Sequence, residues 1–169
     1  GDQDLLFVNG TAWPDADPTE ASTPALYAND GTGQFSDVTA GSGLDISVYG
    51  MGVACGDYDS DGLPDVYLTN VGRNLLLRNL GHGKFEDVTD ATGVGGADDG
   101  WSTCASWFDY DNDGDLDLFV GNYVKWNKEI DFQLGSTLVG FGRAYGQPMN
   151  FEGSFPKLFK NNSDGQFVD

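Results

Sequence analysis

Two nine-residue stretches of the sequence carry carboxylates at spacings that suit metal binding. Residues 57–65 and 109–117 each have Asp at the first, third, fifth and ninth positions and Gly at the sixth. Alternate residues of a tight loop can aim their side chains at one point, where like charges repel unless a cation lies between them. A ligand set made only of oxygens favours Ca²⁺. We therefore predict two calcium loops.

The spacing also assigns the ligands of each loop. An EF-hand would place Glu at the twelfth position, where the second stretch has Val120, so these loops are not EF-hands. The rival interpretation is a solvated Asp-rich turn. Such a turn does not explain why two copies carry Asp at the same positions. The predicted carboxylate ligands are Asp57, Asp59, Asp61, Asp65, Asp109, Asp111, Asp113 and Asp117, with the backbone carbonyls of Leu63 and Asp115 at the seventh position.

The first residues of the chain match the second half of the same loop. Asp4 corresponds to the ninth-position ligand, and Asp2 to the seventh-position backbone donor. The first three carboxylates of this copy are missing, and two ligands hold Ca²⁺ poorly. We expect this half site to be empty or filled by another segment, and the chain to be part of a longer protein or a larger assembly.

Apolar runs flank the loops and predict the strands that position them. Residues 66–68 and 118–120 follow the two loops and are apolar at every position, which indicates strands that are covered on both faces. Hairpins with Gly-containing or Asn-containing turns are predicted for residues 25–39, 74–89 and 156–169.

The pattern repeats about every 50 residues, with Phe35 and Phe85 50 apart and Asp65 and Asp117 52 apart. Four strands in such a period indicate an all-β fold built of β-propeller blades, with a sandwich as the alternative. We predict a partial blade at 1–47, a blade at 48–98, and a blade at 99–169 with an insertion at about 123–155. These would be about three blades of an incomplete, larger propeller, and seven blades is our expectation for the whole.

The motifs resemble FG-GAP/VCBS repeats, the units of integrin α-subunit propellers. The matching stretches are residues 50–54, 57–65, 109–117 and 29–39, and the insertion is similar to bacterial members of the ASPIC/UnbV, cartilage-acidic-protein-like family. The resemblance implies integrin-α-like calcium loops on a secreted protein. It covers nearly the whole chain.

Composition restricts the partners. The formal charge of −19 disfavours nucleic acid, and no apolar run is long enough to cross a membrane. For Cys55 and Cys104 the repeat alignment places the strands too far out of register for a disulfide, so we expect buried, unpaired thiols.

We expect a calcium-stabilised interaction or adhesion module, extracellular, at the cell surface or periplasmic, with a protein partner or a larger assembly. The alternatives are a catalytic propeller, such as a polysaccharide-cleaving or phosphoester-cleaving enzyme, and a glycan-binding lectin. The single His82 lies in a predicted turn, so we expect no enzyme. A lectin could stack sugars on Trp13, Trp101 or Trp126.

The insertion is the predicted partner-contacting surface because excursions of this length are usually functional. Four of the eight basic residues lie in or beside it, which predicts a locally positive region on an acidic protein. These residues are Lys125, Lys128, Arg143 and Lys157. The alternative is a flap that only packs on its own blade.

Overall fold

The computed structural model describes residues 2–11, 22–144 and 146–169. The strands are β1 (Leu5–Phe7), β2 (Ala25–Asn29), β3 (Phe35–Asp37), β4 (Gly50–Gly56), β5 (Asp65–Asn70), β6 (Leu75–Gly81), β7 (Lys84–Asp87), β8 (Ser102–Phe108), β9 (Asp117–Asn122), β10 (Thr137–Leu138), β11 (Gly142–Arg143), β12 (Lys157–Asn161) and β13 (Phe167–Val168). The helices are α1 (Thr89–Thr92), α2 (Lys128–Leu134) and a 3-10 turn at Pro148–Asn150.

The strands form three successive antiparallel sheets, which we call the first, second and third repeats. Their strand orders are β1-β2-β3, β4-β5-β6-β7 and β8-β9-β12-β13. Each sheet is an up-and-down meander, so the predicted blade architecture is confirmed. Among the described residues the sheets do not close into a ring, which agrees with an incomplete propeller; the total of seven blades and the domain limits stay predictions.

The second strand of each full repeat lies at the centre of the packing. Every residue of β5 is buried, and Tyr67 and Leu68 are fully shielded from solvent. The Tyr67 hydroxyl donates to the carbonyl of Val94 at 2.7 Å, so its one polar group is satisfied inside the core. Tyr67 packs in one hydrophobic cluster and Val66 and Leu68 in another, so β5 is covered on both faces as predicted. Leu118 and Val120 of β9 join the cluster of Tyr67, but Phe119 on the opposite face of β9 is only half-buried, so the prediction is confirmed in part for β9.

Neighbouring blades approach closely along β4 and β8. A Cβ added to Gly52 would lie 2.8 Å from the carbonyl oxygen of Thr103, and one added to Gly56 would lie 2.6 Å from the Trp107 ring. Any larger residue would push the two strands apart. The glycines of β4 therefore let the second and third repeats pack against each other.

The helices were not predicted. Asn127 begins α2 by accepting a hydrogen bond from the Ile130 N–H at 2.8 Å, and Gly135 ends it with a φ of 58°. These are ordinary helix start and stop signals, but they fall inside the insertion, where the repeat pattern gives no information.

The two cysteines are free thiols, as expected from the repeat alignment. Both are exposed, so the expectation that they are buried was wrong. Cys55 lies at an outward position of β4, whose residues alternate between exposed and half-buried. Its place in that alternation, and not the small size of its side chain, decides its exposure.

Candidate metal centres

The two Asp-rich loops have the same backbone conformation. The residue at the fourth position has a positive φ in each, 58° at Ser60 and 62° at Asn112. The glycine at the sixth position follows the same rule, with 90° at Gly62 and 97° at Gly114. A left-handed backbone conformation at these two positions turns the chain sharply. Only glycine adopts this conformation without steric cost.

The first Asp of each loop organises the turn. Asp57 accepts hydrogen bonds from the backbone N–H of Asp61 at 3.0 Å and of Gly62 at 2.9 Å. Asp109 makes the same pair of contacts four and five residues further along its own loop, at 3.1 and 3.0 Å. Both oxygens of each carboxylate are thereby held inside the turn, which draws the third and fifth positions towards the first.

The carboxylates converge in both loops, but in different combinations. In the first loop Asp57, Asp59 and Asp61 each offer an oxygen within 4.8 Å of the others. In the second loop the group that meets this distance is Asp109, Asp111 and Asp117. The structure thus gathers three of the four predicted carboxylates in each loop; Asp65 and Asp113 lie outside these tightest groups.

In the two complete loops the ninth-position carboxylates, Asp65 and Asp117, are fully buried. Asp65 accepts from the backbone N–H of Asn79 at 2.7 Å and of Tyr58 at 3.1 Å. Burial raises the pKa of Asp65 to about 6, although these two hydrogen bonds favour the ionised form and lower it. The like charges of Asp59 and Asp61 raise this pKa further. A divalent cation among these carboxylates would favour the ionised form and reverse that shift.

Each repeat joins its loop to its hairpin through an Asp and an Asn, a contact that we call the latch. In the second repeat the backbone N–H of Asn79 donates to the carboxylate of Asp65. The side-chain N–H of Asn79 donates to the carbonyl of Pro64 at 2.8 Å, and its side-chain oxygen accepts from the Gly81 N–H at 2.9 Å. The same three bonds recur at Asn161 in the third repeat and at Asn29 in the first.

The latch identifies Asp4 as the ninth-position residue of the first repeat. Its carboxylate accepts from the Asn29 N–H at 2.8 Å, as Asp65 and Asp117 do from their own hairpins. Asp2 lies against the hairpin turn, where a Cβ added to Gly31 would be 2.6 Å from its carboxylate. The backbone-donor role predicted for Asp2 stays a prediction.

A basic side chain that the sequence pattern did not predict lies at each loop. Arg78 Nε lies 2.8 Å from a carboxylate oxygen of Asp59, and its N–H is not aligned with that oxygen, so the contact is an ion pair and not a hydrogen bond. Lys160 forms ion pairs with Asp111 and, at 3.1 Å, with Asp113. The sequence does contain a pattern that could have predicted these contacts, because each basic residue directly precedes the latch Asn of its repeat.

The seventh position differs between the loops. The Asp115 side chain accepts a hydrogen bond from the Ser163 hydroxyl, so its carboxylate is engaged with the hairpin turn. Leu63 has no side-chain oxygen, and the position can serve both loops only through the backbone carbonyl. The assignment of both carbonyls as ligands stays a prediction.

The donor set fits calcium. Each loop presents three converging carboxylates, a buried ninth-position carboxylate and a sharp glycine turn, and contributes neither sulfur nor nitrogen side chains. Oxygen ligands in a flexible loop suit Ca²⁺ better than zinc or copper. Asp59, Asp61, Asp111 and Asp113 remain accessible to an ion, since their side chains are between 18% and 35% exposed.

The insertion carries less positive charge than predicted. Lys125 pairs with Glu152, Arg143 with Asp131, and Lys157 with Asp169. Residues 123–155 contain three basic and three acidic side chains, so the segment is formally neutral. The predicted positive region is therefore wrong: the insertion is a neutral patch on an acidic protein.

The insertion is anchored at its base and exposed at its tip. The Lys125 N–H donates to the Glu152 carbonyl at 2.7 Å, and Val124 bridges to Gly153 beside it. Large apolar side chains at the tip are more than half exposed, and we call them the apolar tip: Phe132, Leu138, Val139, Phe141 and Met149. The packing expected of a flap is thus confined to the base.

Aromatic side chains meet at the base of the insertion. Trp101 lies at near right angles to Tyr123 and Trp126, with ring centroids 5.4 and 5.8 Å apart. These rings and Phe151 line a cavity of about 170 Å³ that also includes Asp131. Trp13, the third tryptophan considered for stacking, lies outside the described residues.

His82 lies in the turn between β6 and β7 with a φ of 53° and is exposed. Its position agrees with the predicted turn. No described helix has the length and apolarity needed to span a membrane.

Comparison with known proteins adds a family. A model of the FG-GAP-like repeat matches residues 1–68 and again residues 57–120. No curated protein matches the chain. The first match includes the loop at residues 57–65, the second includes both Asp-rich loops, and together they cover residues 1–120, more than half of the sequence. The chain therefore belongs to the FG-GAP-like repeat family.

Proposed function

We propose that this chain is a calcium-stabilised propeller module that binds other proteins outside the cytoplasm, at the cell surface, in the extracellular space or in the periplasm. The observation that carries the calcium assignment is the convergence of three carboxylates in each of two loops with matching backbone conformation. Loops of this ligand chemistry fill at the calcium concentrations found outside cells. The proposal includes no catalytic step.

Calcium would act on stability first. Each loop joins the first and second strands of a blade, and its ninth-position Asp is latched to the third strand. An ion held by the loop would therefore connect three strands of one sheet and offset the repulsion of its carboxylates. Binding to the folded form alone stabilises it by mass action.

The direct test is calcium titration by isothermal calorimetry of chelator-treated protein, followed by thermal unfolding with and without the ion. Two bound ions per chain and a higher melting temperature in calcium are expected. Magnesium at the same concentration is the control, because its smaller, octahedral shell fits these flexible loops poorly. A chain that binds no calcium, or melts at one temperature in both conditions, contradicts the proposal.

The contact surface that we propose is the apolar tip. It is neutral where the rest of the chain is strongly negative, so another acidic or neutral protein could approach it without electrostatic cost. Its side chains are too exposed to contribute much to the core. The chain would then use calcium for rigidity and the insertion for recognition.

Deletion of residues 127–149 tests this assignment. The ends of the deletion lie close together, because the chain is bridged at Val124 and Gly153, so two glycines can join them. We expect lost binding to partners captured by the intact chain, with a melting temperature close to that of the parent. A large fall in melting temperature would instead show that the segment is a structural flap.

Glycan binding is the second candidate, and the aromatic cavity favours it. Aromatic rings and one carboxylate are a suitable lining for a sugar ring and its hydroxyls. Saturation-transfer NMR with a panel of monosaccharides would detect binding, and the change Trp126→Ala should abolish it. Phe141→Ala is the matched control, since it removes an exposed ring of the insertion outside the cavity.

A further inference from the structure

We propose that Arg78 and Lys160 are resident counter-ions that compete with calcium for the carboxylates of their own loops. The inference rests on the proposed function, because it concerns the affinity of the calcium sites proposed there. The two residues occupy the same position in the second and third repeats, one residue before Asn79 and Asn161. They lie on the third strand of their sheets, β6 and β12.

The competition follows from how the carboxylate oxygens are used in the first loop. One oxygen of Asp61 accepts from the Leu63 N–H at 2.9 Å, and the other lies 3.5 Å from the Arg78 guanidinium. One oxygen of Asp59 accepts from the Asp61 N–H at 3.3 Å, and the other pairs with Arg78 Nε. The oxygen that the loop backbone leaves available is thus the one that faces the basic side chain.

The second loop repeats this arrangement. Asp113 accepts from the Asp115 N–H through one oxygen at 3.1 Å and pairs with Lys160 through the other at 3.1 Å. Lys160 also pairs with Asp111. Arg78 and Lys160 differ in length and chemistry, yet each reaches the third and fifth positions of its own loop. The placement of a basic group there is therefore a property of the repeat.

The consequence is a lower calcium affinity. An ion that takes oxygens from the third and fifth positions must displace the basic group or share the carboxylates with it, and either loses attraction. In return the basic group reduces the repulsion between the carboxylates while calcium is not bound. Both basic side chains are about 40% exposed, so solvent screens the pairs and their effect is modest.

The experiment compares Arg78→Met and Lys160→Met with the parent chain. Methionine keeps the aliphatic part of each side chain and removes its charge. The control is Lys125→Met, which removes a charge from an exposed ion pair in the insertion. Lys160→Arg keeps the charge at the loop and should leave calcium binding near that of the parent.

We expect each of the two loop variants to bind calcium at its own loop about two- to tenfold more tightly. We also expect each to unfold at a lower temperature than the parent in chelator. Lys125→Met should show neither change. The inference is overturned if calcium affinity is unchanged or weaker in the loop variants, or if Lys125→Met tightens binding equally. A parent chain that binds no calcium contradicts the proposed function itself, which is a different outcome.

Discussion

The second and third repeats have the same loop and the same latch, yet they differ at the strand ends. In the third repeat the Ser102 hydroxyl donates to the side-chain oxygen of Asn122 at 2.7 Å. In the second repeat the residue facing Asn70 is Gly50, and the buried oxygen of Asn70 has no partner among the described residues. Strand register makes the two pairs equivalent.

Packing explains the difference. A Cβ on Gly50 would lie 2.3 Å from a methyl group of Val8 and 3.0 Å from the carbonyl oxygen of Asn9. The first repeat therefore comes too close to the second for a serine at this place. Residues within one repeat therefore determine its loop and latch, whereas contact with the neighbouring repeat determines the residue at the strand end.

The largest expected effect concerns burial of the latch. Asp65→Ala leaves two backbone N–H groups unpaired inside the protein, and we expect it to lower the free energy of unfolding by about 2–6 kcal/mol. Asp4→Ala removes the equivalent bond of the first repeat, where the carboxylate is exposed, and should cost far less. Urea denaturation in chelator measures both without a contribution from calcium. Equal costs would show that burial does not distinguish the repeats.

The next effect separates the two metal loops. Asp59→Asn and Asp111→Asn should each reduce the calcium stoichiometry from two ions to one, leaving the other loop unaffected. At a free calcium concentration of one hundred times the dissociation constant, each lost site should cost about 2.7 kcal/mol of stability. Calorimetry and thermal unfolding measure the two quantities. Loss of both ions in either single variant would mean that the loops are coupled.

The strand ends give a smaller effect. Ser102→Ala should cost about 1–3 kcal/mol, because the side chains of Asn74 and Asn122 each lose a buried partner. Gly50→Ser supplies the same hydroxyl to Asn70 but should also destabilise the protein, by about 1–3 kcal/mol, since its Cβ clashes with Val8. A stabilising Gly50→Ser change would show that the packing argument is wrong.

The smallest effect lies at the fourth loop position. Ser60 and Asn112 both have positive φ, and asparagine tolerates this conformation better than serine. Ser60→Gly should therefore stabilise the chain by roughly 0.5 kcal/mol, while Asn112→Gly should be close to neutral. Thermal unfolding in chelator measures the pair. Equal shifts would indicate that the two loops carry the same strain.

The sequence alone was enough to predict the repeat, the strands of the blades and the carboxylate positions of the loops. It could do so because these features are local: the loop residues contact each other within nine positions, and the buried strands are apolar at successive residues. The Asn of the latch is also visible in the sequence, because it occupies the same place in each hairpin. Its Asp partner was not evident from the sequence.

Only the tertiary structure decided the contacts between segments distant in the chain. It placed Lys160 on a loop 49 residues away, determined which acids the basic residues of the insertion pair with, and exposed both cysteines. The physical reason is that these outcomes depend on which strands become neighbours and which faces are covered. No spacing rule within a repeat specifies how closely the next repeat approaches, and that approach is what requires glycine at position 50.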